Sequence, residues 1–468
     1  MGTNIFNPAD VRRYPSRWPL YRGKGLFRVI DERSASNNEE LLSVSHLTGI
    51  TPRSQKNVTM FQSESLIGYK ICQIGDIVAN TMWTWQGAIG VSDYAGVVSP
   101  AYNVYRQKDD YYHPKYLDML LREPKLVDVY HSLSTGIRPS RLRLYPEVFL
   151  TIDFPVPPRD EQEKIVRFLD WKVSEINKLI GIHRKEIQKL EELKVHTIRR
   201  VFVKGFFSDA MIDSNGIDWL ESSPQGWKIQ RLKTVLHRHF GGTWGEDPIG
   251  DKNDLLCIRI ADFDFNHLTV KLKANTYRHY SESQISKGSL QDGDIILEKS
   301  GGGDKTPVGR VICYHSSGDS KVMFANFSEC LRPDKTQIVP FFLALELKAF
   351  YQSGHIRNYY NQTTGIQNIT LPQYLSIPIV VPSKAEQERI VQYLDGACSK
   401  IDSLINSSHK KMAELTEMKQ VMISDVVTGK IDVRNIIIPE YEHIDDIFDE
   451  YSEANNDEKE EKSTMEEE

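Results

Sequence analysis

The feature that most constrains this chain is internal repetition. Laid over residues 385–418 at an offset of 225 with no gap, residues 160–193 give fourteen identities in thirty-four positions. Glu161-Gln162-Glu163 falls on Glu386-Gln387-Glu388, Ile165-Val166 on Ile390-Val391, and Leu169-Asp170 on Leu394-Asp395. A repeat of this length means that whatever the first copy builds, the second builds too. In both copies the apolar residues step by three or four. Ile165, Leu169, Val173, Ile176, Ile180, His183, Ile187 and Leu190 form one series; Ile390, Leu394, Cys398, Ile401, Ile405, Ser408, Met412 and Leu415 form the other. That spacing predicts a long helix with a coiled-coil seam in each copy. Pro157-Pro158 and Pro382 stop the segment before each helix, Ser383 with Glu386 reads as a capping box, Asp160 with Glu163 resembles one, and Gly205 and Gly429 close the helices. Such a helix of roughly 44 residues is a rod of about 65 Å. His183 and Ser408 occupy matching seam positions and read as a polar pair that fixes register.

Ahead of each helix lies a longer segment of short β-branched and aromatic runs, separated by Gly, Asn and Ser clusters. These segments repeat loosely. Trp18-Pro19-Leu20 answers Trp227-Lys228-Ile229, Leu41-Leu42-Ser43-Val44 answers Leu255-Leu256-Cys257-Ile258, Gly75-Asp76-Ile77-Val78 answers Gly293-Asp294-Ile295-Ile296, and Thr135-Gly136-Ile137 answers Thr364-Gly365-Ile366. Kept landmarks with diverged loops imply two related binding tasks on different targets. The expectation is an α+β chain with a pseudo-twofold internal repeat. Two similar mixed α/β domains occupy 1–157 and 206–382, and two long antiparallel coiled-coil helices occupy 158–205 and 383–430. An acidic tail, read as disordered, follows at 431–468. Two seams joined through a whole domain fold back on each other more readily than they form a filament.

Composition narrows the function classes. The formal net charge is −6, but Pro439 to Glu468 carries fourteen acidic residues against Lys459 and Lys462, a net of −12, so residues 1–438 carry +6. The body is mildly basic, which suits nucleic acid. No apolar run approaches the ~20 residues of a membrane span. The N-terminus lacks the basic start and apolar stretch of a signal peptide, so a cytoplasmic protein is expected. Cys72, Cys257, Cys313, Cys330 and Cys398 are too scattered for a ligand pair or redox motif and read as small core residues. An enzyme finds little support. Asn7-Pro8-Ala9-Asp10 lacks the aromatic fourth residue of an amino-methyltransferase motif, and Gly301-Gly302-Gly303-Asp304-Lys305 lacks P-loop spacing. His237-Arg238-His239 has no ligand partner nearby in sequence, so neither a catalytic residue nor a metal site is expected.

Two variable domains alternating with two similar helices, each announced by a Pro-rich stretch and Glu-Gln, resemble the specificity (S) subunit of type I restriction-modification systems. The carriers are Pro157-Pro158-Arg159-Asp160-Glu161-Gln162 and Pro382-Ser383-Lys384-Ala385-Glu386-Gln387, and the likeness covers roughly residues 15 to 435. Gly75-Asp76-Ile77-Val78-Ala79-Asn80, Gly96-Val97-Val98-Ser99-Pro100-Ala101-Tyr102 and Ser134-Thr135-Gly136-Ile137-Arg138-Pro139-Ser140-Arg141 are similar to landmarks of that family's target recognition domains. The resemblance implies a non-catalytic DNA-binding subunit of a phage-defence system. Each recognition domain would read one half of a bipartite site in double-stranded DNA, and the helices would set the spacer. Partners would be two methyltransferase (M) subunits and, in the restricting complex, two restriction/translocase (R) subunits, with no membrane. No cofactor is expected on this chain, AdoMet, ATP and Mg²⁺ belonging to the partners. Where the first domain has Arg138 and Arg141 the second has Gln367 and Asn368, so contacts do not transfer residue by residue.

Direct reading of bases needs Arg or Lys for guanine and Asn or Gln for adenine. In the first domain this favours Asn80, Trp83, Trp85 and Gln86 on one loop and Arg138, Ser140, Arg141 and Arg143 on another. In the second domain it favours Lys299, Ser300 and Lys305 around a glycine run, with Thr364, Gln367 and Asn368. Packed or solvated loops are the competing reading for each. The alternative at the level of the whole chain is a coiled-coil scaffold whose globular domains bind protein rather than DNA. Truncation at Ile438 is expected to leave DNA affinity unchanged if the tail only solubilises.

Overall fold

The computed structural model describes residues 14–46, 48–55, 65–136, 142–205, 212–316, 318, 320–363 and 365–445. The chain is α+β. Its contacts resolve two compact units, residues 1–185 with 409–468 and residues 186–408.

In the first unit, β1 (Phe27–Ile30), β2 (Ile77–Ala79), β3 (Ile89–Val91) and β4 (Asn103–Gln107) form an antiparallel sheet of order β1-β4-β2-β3. Helices α1 (Pro114–Leu121) and α2 (Pro124–Leu133) follow, each with proline at its start, where a missing N–H costs nothing. The first long helix, α3 (Arg159–Lys204), has 46 residues. In the second unit, β5 (Leu236–Gly241), β6 (Ile295–Glu298), β7 (Ser300–Gly301), β8 (Val311–Cys313) and β9 (Ser328–Pro333) precede helix α4 (Pro340–Gln352). Next come β10 (Tyr360–Thr363), β11 (Ile366–Ile369) and the second long helix, α5 (Lys384–Val427), of 44 residues. The main sheet here has order β5-β9-β6-β8, the same connectivity as its counterpart.

The repeated residues explain why the sheets are fastened to the helices alike. Gln162 and Gln387 are fully buried. Gln162 accepts from His113 N at 2.8 Å and donates to Tyr111 O and Pro157 O, both at 2.9 Å. Gln387 accepts from Val339 N at 2.7 Å and donates to Gln337 O at 3.2 Å and Pro382 O at 3.0 Å. Each amide so satisfies three backbone groups that would otherwise be orphaned at a helix start. Beside it, Glu161 accepts from the Trp18 indole at 3.0 Å and Glu386 from the Trp227 indole at 3.2 Å. The Glu386 carboxylate thus makes a long-range bond, while its backbone N–H donates to Ser383 O at 2.9 Å. Asp76 grips Arg106 at 2.6 and 2.8 Å, and Asp294 grips Arg332 at 2.8 and 2.7 Å. The Gly-Asp landmark is therefore a buried ion pair inside each sheet.

Every seam residue of both series is buried or half-buried. Within the first unit Lys419 donates to Asn177 at 3.4 Å; within the second Lys194 donates to Asp402 at 2.7 and 2.8 Å and Ser408 to Glu186 at 3.0 Å. In the second unit the partner numbers rise on one helix as they fall on the other, and in the first the start of α3 (Ile165, Leu169) shares a core with the end of α5 (Val426, Val427) while Asn177 meets Lys419, so the helices are antiparallel. Ser408 is satisfied by Glu186 within the second unit. The two cores also take in the helix ends: Ile165, Phe168 and Leu169 with Val426 and Val427 in one, Ile198, Val201 and Phe202 with Ile390 and Leu394 in the other. Gly205 (φ +70°) and Gly429 (φ +71°) end the helices in the left-handed conformation. Four of the five cysteines are buried and Cys398 is half-buried, all as free thiols. No helix among the described residues is long and apolar enough to cross a membrane. Residues 446–468, most of the acidic tail, lie outside the described residues.

Candidate nucleic-acid interface

Two candidate stretches of the second domain meet. β6 runs out at Glu298 into Lys299, and β7 then pairs with β11, Ser300 opposite Asn368 and Gly301 opposite Gln367. β10 completes a three-stranded sheet, with Asn361 opposite Asn368 and Gln362 opposite Gln367. Strand alternation turns Gln367 and Ile369 inward and leaves Ile366 and Asn368 exposed. Gln367, 1% exposed, accepts from Val308 N at 3.1 Å and donates to Gln362 at 3.4 Å, so its amide holds the glycine loop closed. Gly302 (φ +64°) backs onto it so closely that a Cβ there would lie 2.9 Å from its Oε1. Lys299 donates to Glu329 at 3.2 Å, and the other oxygen of this buried carboxylate lies 2.8 Å from His239 Nδ1. Lys305 is exposed beside Asp304, and Thr364 lies outside the described residues.

The two candidate loops of the first domain are also neighbours, since Leu144 N donates to Thr81 O at 3.3 Å. Asn80, 7% exposed, donates to the Tyr102 hydroxyl at 3.3 Å and accepts from Met82 N at 3.2 Å. Burial pushes the Tyr102 phenol above its usual range, which keeps it neutral beside that amide. Trp83 and Trp85 stack at 6.2 Å, and Trp85 lies 5.4 Å from His131 with its N–H on Met82 O. Gln86 is exposed at the end of that turn. Arg143 is exposed and its backbone exchanges two bonds with Thr135, at 3.0 and 2.9 Å. This pairing closes a loop whose tip, with Arg138, Ser140 and Arg141, lies outside the described residues.

Buried Asn80 and Gln367 therefore act on the fold, while Gln86, Arg143, Lys305 and Asn368 are presented outward. Sequence reasoning passed over Asn361, beside Asn368. Its signal was the pair of four-residue β runs flanking Thr364-Gly365, which marks a hairpin. Asp251, Asp254 and His279 bring ligand-type atoms within 4.8 Å of one another. The bonds of Asp254 to Gly250 N at 2.6 Å and to the His279 ring at 3.0 Å account for that cluster as a loop staple.

Residues 224–417 match the family model of the type I restriction modification DNA specificity domain. This chain is a relative of the type I restriction specificity subunits. It is 23% identical over 295 residues to the type I restriction enzyme MjaVIII specificity subunit of Methanocaldococcus jannaschii, 62% of this chain and 64% of that protein. It is 21% identical over 449 residues to the putative MjaX specificity subunit of the same organism, 92% of this chain and 97% of that protein. It therefore spans just under two thirds of the first relative and nearly all of the second. A solved structure from work on complex assembly and conformational transition of the type I R-M system shares the fold, with a TM-score of 0.63 at 18% identity, covering 89% of this chain and 99% of that one. The matched region takes in β5 to β11 and most of α5, so the amide-bearing sheet lies within it.

Proposed function

We propose that this chain reads a bipartite site in double-stranded DNA, one half by each domain, as the non-catalytic specificity subunit of a type I restriction-modification complex. The observation that carries the reading is the duplicated frame, two sheets of identical connectivity held to their helices by the same Gln and Glu–Trp contacts, under loops that differ. A repeated scaffold with different loops suits two half-sites of different sequence. The long helices set the unread spacer and tether the M and R subunits. Apolar side chains that the helices leave exposed support tethering: Leu179 and Ile182 in the first unit, Leu193 and Leu404 in the second. AdoMet, ATP and Mg²⁺ belong to those partners, inside the cytoplasm where the host DNA lies.

The test is methylation mapping of DNA exposed to this chain co-expressed with an M subunit, repeated after residues 227–376 are exchanged for another recognition domain. A split motif of which only one half changes supports the assignment. A motif that changes in both halves together, or none that depends on this chain, overturns it.

A further inference from the structure

The small sheet β7-β11-β10 does more than close a loop. Its register sets Ser300, Asn368 and Asn361 side by side across three strands. Residues directly opposite in an antiparallel ladder project from one face with Cβ atoms about 5 Å apart. This is the outward face, because Asn361 and Asn368 are exposed while Gln367 is buried. The inward contacts of this sheet belong to Gln367 and Ile369, so the two exposed amides lie outside its core. Yet the amides are oriented. Ser300 Oγ donates to Asn368 Oδ1 at 2.6 Å, and Asn361 Nδ2 donates to Thr370 Oγ1 at 3.3 Å. Asn368 is left with its whole Nδ2 donor group, and Asn361 with its Oδ1 acceptor beside one remaining N–H. In the major groove, adenine presents the complement of that pair, an N7 acceptor beside an N6 donor, whereas guanine presents two acceptors and cytosine a donor alone. Phe327, 54% exposed, adjoins the row through its carbonyl, which accepts from Lys299 N at 2.9 Å and Ser300 N at 3.0 Å. It offers apolar surface of the kind that meets a thymine methyl group.

We propose that this face is the adenine-reading element of the second domain, with Asn361 and Asn368 specifying one A·T pair of its half-site. The inference rests on the DNA-reading assignment above and names its substrate. The experiment uses the full chain with its M subunit to select duplexes from a random-sequence pool, comparing it with Asn361→Ala and Asn368→Ala. Expected is a roughly five- to hundredfold loss of adenine preference at one position of one half-site. The other half-site and the urea midpoint should not move. If the wild-type complex enriches a split motif and both variants keep every base preference, this proposal is overturned and the DNA-reading assignment stands. A loss spread evenly over all positions also overturns it, because that is the mark of a contact to phosphate. A wild-type complex that enriches no motif overturns the underlying assignment and this inference with it.

Discussion

At the scale of single residues, buried polar groups hold the domains together, and each has a measurable signature. Gln387→Ala strips partners from Val339 N, Gln337 O and Pro382 O at once. Leaving buried groups unpaired costs roughly 1–3 kcal/mol apiece, so the urea midpoint should fall far more than for an exposed Gln→Ala such as Gln86→Ala. Glu346 is a different case. It is fully buried on α4, where one oxygen accepts from Val380 N at 2.6 Å and the other has no partner. Burial raises its carboxyl well above the usual range. The folded state therefore holds a proton that the unfolded state releases above about pH 4.3, and this group makes stability fall as pH rises beyond that point. Glu346→Gln removes the penalty. The variant should exceed the wild type in urea midpoint at pH 8, and the gap should shrink toward pH 5. A gap that does not change with pH would show that the carboxyl is not held protonated.

At the scale of elements, the repeat lets one copy be checked against the other. Asn177 and Asp402 are equivalent positions, as are Lys194 and Lys419, so the same Lys contact occurs once in each unit with a different partner. Lys194 is 9% exposed and relies on the Asp402 carboxylate. Asp402→Asn leaves that ammonium with no countercharge in the pair and should cost on the order of 3 kcal/mol, read as a lowered thermal midpoint of the second unit. Gly429 is a steric case, since a Cβ there would lie 2.6 Å from both Pro15 and Trp18 on top of its positive φ. Gly429→Ala should destabilise the first unit by roughly 1–3 kcal/mol. The helices themselves were legible in the sequence because their seam and their glycine ends are local. The side-chain bonds at their starts were not, since Trp18 and Trp227 are distant in sequence from the carboxylates they meet.

At the scale of the whole molecule, the structure redraws one boundary that charge alone had suggested. The chain beyond Ile438 is acidic, yet Asn177 donates to Ile444 O at 3.1 Å, Ile444 N donates to Ser174 at 3.3 Å, and Glu442 lies 3.8 Å from Lys178. The start of the tail is thus part of the first unit. Truncation after Asp445 should leave the thermal midpoint of that unit unchanged, whereas truncation at Ile438 should lower it. Equal midpoints for the two truncations would mean that these contacts contribute nothing.

The sequence by itself determined the duplication, the two long helices, their seams and their ends, because an apolar stripe of period 3.6 and a terminal glycine act within a few residues of themselves. It also named candidate contacts on two loops of each domain. Only the tertiary structure decided which side of each loop faces in, and so turned Asn80 and Gln367 into supports while leaving Gln86 and Asn368 outward. The same long-range pairing placed Asn361 beside Asn368 and divided each helix between two compact units. The physical reason is register: one residue of slip in a strand exchanges its two faces, and the partner that sets the register lies far away in the chain.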